Sequence, residues 1–216
     1  MATTLGETRL ALAEAQDIAA QVLHWLAGGY AEALVVGSVR RGKATVGDIE
    51  IALLPHTLTN ILGERMSDRL LLAGAVEATV RARRLLWDTR VKANGDRRKR
   101  LVEPSSGVVV ELYIADSRDN YGNTVAIRTG DAEFSHVLVT RREWGGLMPD
   151  NLRQLDGYLW RDDPDDDNGI LRVPCPDEAA FFAALGLPVV PLNERTMVTA
   201  MTLTGAVKGA GSEVGQ

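Results

Sequence analysis

Apolar residues recur at helical spacing over residues 8–26 (Leu10, Leu12, Ala13, Ile18, Val22, Leu26), and Gly28-Gly29 ends the run, which predicts a helix. Ala33-Leu34-Val35-Val36 is a continuous apolar stretch that stops at Gly37, the pattern of a buried strand. Glycine and arginine dominate Gly37 to Gly47, predicting loop or turn. Asp48 to Leu54 alternates and then runs apolar to Pro55, a second strand. Leu58 to Arg83 has helical spacing, interrupted by Gly63 and Gly74. Arg84–Lys92, Arg98–Glu103 and Gly107–Ala115 read as three more strands, with the hairpin pair Asn94-Gly95 after the first.

Beyond Asp116 the texture changes. Glu133 to Trp144 looks helical, Gly157–Trp160 and Ile170–Val173 look like a strand pair, and Pro176 to Leu185 reads as a short helix with proline near its start. The acidic run Asp162–Asp167 between the two strands reads as a hairpin loop. Residues 197–216 are small and glycine-rich with no large apolar face, so a disordered tail is expected. The pattern predicts an α+β fold. Residues 1–118 would form a mixed sheet with helices on one face, 119–196 a small α/β subdomain, and 197–216 the tail.

Composition narrows the function classes. A single cysteine, Cys175, excludes a disulfide framework or a thiolate zinc cluster, and three scattered histidines exclude a histidine-rich metal site. No apolar run is long enough for a membrane span, and the N-terminal residues lack a basic-then-apolar signal, so no membrane partner and a cytoplasmic location are expected. The chain carries a net charge of −5, yet Arg81 to Arg100 holds nine Lys or Arg against two acids, Asp88 and Asp96. A basic stripe on an acidic body suits a polyanion held at one place.

Gly37 to Lys43 fits part of a phosphate-binding P-loop, but Ala44 stands where that motif needs Ser or Thr, and a strand follows where it needs a helix. Asp48 and Glu50 carry more information. Two apart on a strand, they project from the same side while Ile49 and Ile51 enter the core. Carboxylates held that close repel unless a cation lies between them, and magnesium favours a few carboxylates plus substrate phosphates. A third acid, Glu111, sits inside the apolar strand Val108–Ile114, where burial without a partner is costly. Three carboxylates on two neighbouring strands, with a Gly-Ser turn and arginines, are the parts of two-metal nucleotidyl transfer.

Gly37-Ser38-x-Arg40-Arg41-Gly42 followed by Gly47-Asp48-Ile49-Glu50 resembles the signature of family X DNA polymerases, the DNA polymerase beta family. The likeness continues with Glu111, with Thr129-Gly130 before a helix, and with Phe181–Pro188, and it covers about residues 8 to 195. It reaches the palm and the terminal nucleotide-binding subdomain, a minimal form such as some viruses and phages encode, with neither the lyase domain nor the helix–hairpin–helix elements expected. The resemblance implies that Asp48 and Glu50 bind two magnesium ions, for which manganese can substitute, and that Glu111 binds the catalytic one beside a primer 3′-hydroxyl. Gly37, Ser38 and Arg41 would hold the triphosphate of an incoming nucleotide, and Thr129 and Gly130 would form the turn against its sugar. Three departures stand out. Glu50 and Glu111 replace aspartates, Val109 replaces an arginine, and Ile127-Arg128 replaces an aromatic pair, placing Arg128 beside the nucleotide's 2′ position. The basic residues Arg97, Arg98, Lys99 and Arg100 are expected to contact primer or template DNA. The implied enzyme is a monomeric DNA nucleotidyltransferase of repair or phage DNA metabolism, working in a bacterial or phage-infected cell. A small-molecule nucleotidyltransferase of the aminoglycoside type shares the Gly-Ser turn and is the alternative.

Overall fold

Alternating apolar and charged residues over Asp48–Pro55 and Arg98–Val102 give the larger sheet an apolar face and a charged face. The structure, a computed structural model, describes residues 8–57, 61–62, 69–91 and 94–213. The chain divides after Asp116 into two units, each with its own apolar core. In chain order the first unit holds β1 (Leu10–Ala11), α1 (Leu12–Trp25), β2 (Tyr30–Val35), α2 (Gly37–Arg40), β3 (Thr45–Val46), β4 (Asp48–Pro55), α3 (Leu70–Arg81), β5 (Leu86–Trp87), β6 (Arg98–Val102) and β7 (Val109–Ile114).

Five of these strands form a sheet in the order β2-β4-β7-β6-β5. The β4–β7 pair is parallel and the other neighbours are antiparallel, so the sheet is mixed. Ile49, Ile51 and Leu53 of β4, Val110 and Leu112 of β7 and Leu101 of β6 are buried with Ile18 and Val22 of α1 and Leu72 and Val76 of α3. Both helices thus cover one face. The intervening residues Asp48, Glu50, Glu111, Arg98 and Arg100 are left to the other face, as the period of two demands. The register sets Glu50 directly opposite Glu111 and Arg100 opposite Glu111 on its other side. A two-stranded ribbon, β1 with β3, completes the unit.

Two expectations shrink here. The strand expected over Arg84–Lys92 is reduced to β5, because only Leu86 and Trp87 pair with β6. The long helix expected over Leu58–Arg83 is realised as α3; residues 58–60 and 63–68 lie outside the described residues, as does Lys92 of the basic run.

The second unit contains α4 (Arg118–Thr129), α5 (Ala132–Val139), β8 (Leu152–Leu155), β9 (Tyr158–Asp162), β10 (Ile170–Val173), α6 (Glu178–Ala184) and α7 (Met197–Glu213). The strands form an antiparallel sheet, β10-β9-β8, and the acidic run is the loop between β9 and β10. Residues 197–213, expected to be a disordered tail, form α7 instead. Ala200 is buried, and Leu203 and Val207 pack on the same core, one stripe at helical spacing. Helix α4 has no apolar signature to predict it. A reciprocal cap between Ser117 and Asn120 starts it, and Gly122 lets it press against the chain before α6. The Gly122 N–H donates to the Cys175 carbonyl at 2.9 Å, and a Cβ there would lie 2.0 Å from the Asp177 oxygen. Arg195, 1% exposed, braces the unit by donating to Glu178 at 2.6 Å and to the Val190 carbonyl at 2.9 Å. Among the described residues no helix is long and apolar enough to cross a membrane.

Candidate active site

The turn from β2 into α2 places backbone against a carboxylate of β4. The Val36 N–H donates to the Glu50 carbonyl at 2.8 Å, and Gly37 opens α2 with φ of +63°. A Cβ on Gly37 would stand 1.9 Å from Glu50 Oε2, so any side chain there must push that carboxylate aside, and the positive φ favours glycine as well. The neighbouring Ser38 Oγ is buried and has no hydrogen-bond partner among the described residues. A buried hydroxyl in that condition is suited to an oxygen-rich ligand. Gly37→Ala is expected to displace the Glu50 carboxylate, costing about 1–3 kcal/mol of stability. Denaturant unfolding checks the cost.

The two acids flanking the sheet's charged face behave oppositely. Burial pushes the Asp48 carboxyl up, and the Glu111 charge pushes it further, against the opposing pull of Arg100 and Arg41. Glu111 is 3% exposed, and burial alone would raise its carboxyl as well. Hydrogen bonds from Arg98 and Tyr113, with the charges of Arg98 and Arg100, outweigh that and hold it below the usual range. Arg98 donates to Glu111 Oε1 at 2.7 Å, Arg100 donates to the same oxygen, and the Tyr113 hydroxyl donates to Oε2.

Four members of the basic run, Arg90, Arg97, Arg98 and Arg100, are paired with acids of their own unit. Arg100 also donates to Asp88 Oδ2 at 2.8 Å, and Arg90 grips Asp88 with two bonds at 2.7 and 2.9 Å. Those bonds hold the buried Asp88 carboxyl well below its ordinary range. The result is a chain of alternating charge, Arg90–Asp88–Arg100–Glu111–Arg98. Arg97 donates to Asp116 at 2.8 Å, and Lys99 lies over the Trp87 ring at 5.8 Å. Asp88, Arg90 and Tyr113 do not stand out as site residues in the sequence. The alternation of Arg98 and Arg100 in β6 is the one available signal that both share a face.

Thr129, Gly130 and Arg128 belong to the second unit. The Thr129 hydroxyl is buried and donates to the Val125 carbonyl at 2.6 Å. Gly130 closes α4 where a Cβ would lie 2.5 Å from the Phe134 ring, and Asp131 then caps α5 by accepting from the Phe134 N–H at 2.7 Å. Arg128 is exposed. Gly37, Ser38, Arg41, Asp48, Glu50 and Glu111 all belong to the first unit.

Among the described residues no three His, Cys, Asp or Glu side chains form a ready-made cation cage. Asp48 and Glu50 nonetheless suit magnesium, which is satisfied by one or two carboxylates with water and phosphate oxygens filling the rest of its shell. The upward push on Asp48 is the kind of penalty that a nearby cation relieves. Oε1 of Glu111 already accepts from two arginines, so a cation would meet Glu111 most readily at Oε2, which accepts from Tyr113 alone. No known protein-family model matches the chain and no curated protein matches it, so the site's own chemistry carries the functional reading.

Proposed function

We propose that the chain is a small nucleotidyltransferase of the DNA polymerase beta type, with the first unit as its palm. The supporting observation is the pair Asp48 and Glu50 on one strand, with Gly37 backed against Glu50 and Ser38 Oγ left buried without a partner among the described residues. The reaction joins a nucleoside monophosphate to a DNA primer. The primer 3′-oxygen attacks the α-phosphorus of a (deoxy)nucleoside triphosphate, the bond to the β-phosphate oxygen breaks, and pyrophosphate leaves.

Asp48 and Glu50 would hold the magnesium, with Glu111 as third ligand. Bound there, magnesium neutralises charge on the reacting phosphates and activates the attacking oxygen. Ser38 donates to a phosphate oxygen, and Arg41 adds a planar charged fork, so the triphosphate is oriented before reaction. Sheet residues supply a rigid platform for that orientation, and strand register fixes the spacing of the acids.

Extension of a labelled primer, with and without template, with magnesium or manganese, tests the reading. Adenylylation of an aminoglycoside without primer extension would replace it with the small-acceptor enzyme. Arg41→Lys is expected to lower kcat/KM for the nucleotide at least several-fold, because lysine cannot reproduce a bidentate contact. Steady-state kinetics in the nucleotide concentration decide this.

A further inference from the structure

Three donors converge on the Glu111 carboxylate, and they divide its two oxygens unequally. Arg98 and Arg100 both donate to Oε1, and among the described residues Oε2 accepts from the Tyr113 hydroxyl alone. Each carboxylate oxygen has two acceptor positions, so the arginines fill Oε1 while Oε2 keeps one position open. Tyr113 lies two residues beyond Glu111 on β7, which puts both on the charged face, and the register sets it opposite Arg98. The Tyr113 ring is buried, with the Arg98 guanidinium over it at 5.8 Å. A buried ring braced by a neighbouring strand holds its hydroxyl in one place, and through it the orientation of Glu111. Glu50, one of the two carboxylates suited to magnesium, stands directly opposite Glu111 on β4.

We propose that Tyr113 is a positioning residue for a divalent cation: its hydroxyl pins Glu111 so that the open position of Oε2 is offered for coordination alongside Glu50. The proposal rests on the nucleotidyltransferase reading and deepens it by naming what orients the third acid. The hydroxyl is neutral, and both guanidinium charges remain when it is removed, so its loss costs direction more than charge. A hydrogen bond from outside the coordination sphere that orients a ligating carboxylate is worth about 10–100-fold in cation affinity. No step of the transfer passes through the phenol, which acts through Glu111 alone.

The test titrates the full chain with manganese(II), without nucleotide or DNA, and reads the free ion by electron paramagnetic resonance. Tyr113→Phe, which keeps the ring in its packed place, is expected to weaken manganese binding about tenfold or more. Glu111→Gln is expected to weaken it at least as far. The two replacements together are expected to cost no more than Glu111→Gln alone, because the hydroxyl works only through that carboxylate. A general loosening of the fold would add to the Glu111 effect instead. In primer extension, Tyr113→Phe is expected to need about tenfold more magnesium, with kcat at saturating magnesium within about threefold of the wild type. Manganese affinity that is unchanged in Tyr113→Phe overturns the proposal, and so does a higher affinity, which would mean that the hydroxyl competes with the cation. Full additivity of the two replacements overturns it as well, as does a wild-type chain that takes up no manganese. A tenfold loss in a chain that extends no primer upholds the positioning role and overturns the polymerase reading instead.

Discussion

Asp48→Asn is expected to abolish nucleotidyl transfer and, at the same time, to raise the melting temperature. The loss of rate should exceed about 10³-fold, or roughly 4 kcal/mol of transition-state stabilisation, since cation-binding acids act as a unit. Glu50→Gln should lose as much. The gain in stability follows from the raised carboxyl of Asp48, whose charge is disfavoured by burial and by the Glu111 charge. A folded-state pKa above the ordinary value of 3.8 means that ionised Asp48 destabilises the fold at neutral pH. The penalty fades as pH falls through the raised pKa, because the native state then takes up the proton first. The neutral amide should therefore be the more stable protein at pH 7 and lose that advantage toward pH 4. Calorimetry across that range, beside single-turnover primer extension, reads both effects. An Asp48→Asn protein that is active, or less stable at pH 7 than the wild type, contradicts the assignment.

Glu111→Gln carries the opposite sign in stability. The Glu111 carboxyl is held below its ordinary value of 4.5, so its stabilising contribution is present above about that pH and is lost as pH falls through the lowered pKa. Removing the charge leaves Arg98 and Arg100 side by side around a neutral amide. Both arginines are partly open to water, so the expected cost is about 1–3 kcal/mol at pH 7, shrinking as pH falls through the lowered pKa of Glu111. Transfer activity should fall by more than about a hundredfold, because the charged face loses both the acid and the placement of Arg100. Chemical denaturation at pH 7 and across the acid range separates the structural part from the catalytic part. Equal stability of variant and wild type at pH 7 would show that the arginines do not depend on Glu111.

The sheet is the most legible part of the molecule. Strand β4 announces itself by an alternation that closes at Pro55 and assigns Asp48 and Glu50 to one face, and β7 by an apolar run after Gly107. Helix α4 is illegible because Asn120, Gly122 and Asn123 are buried for reasons of close approach and capping rather than hydrophobicity. Helix α7 reads as a tail because its packing stripe is made of small and medium residues whose partners are far away in sequence. At the site, the acids can be found locally, but their partners cannot. Arg98 and Arg100 reach Glu111 across a strand register, and a basic run in a sequence looks the same whether its charges face solvent or each other.

The alternating chain Arg90–Asp88–Arg100–Glu111–Arg98 also constrains how this protein can change over generations. Each interior member serves two neighbours, so losing one takes a partner from both. Asp at position 111 would be one methylene short for an oxygen that now accepts from two guanidinium groups. Neutral drift through single replacements is thereby closed at these positions, and descendants should either keep the whole series or exchange it together. Glutamate at position 111 is thereby tied to the two arginines that need its length.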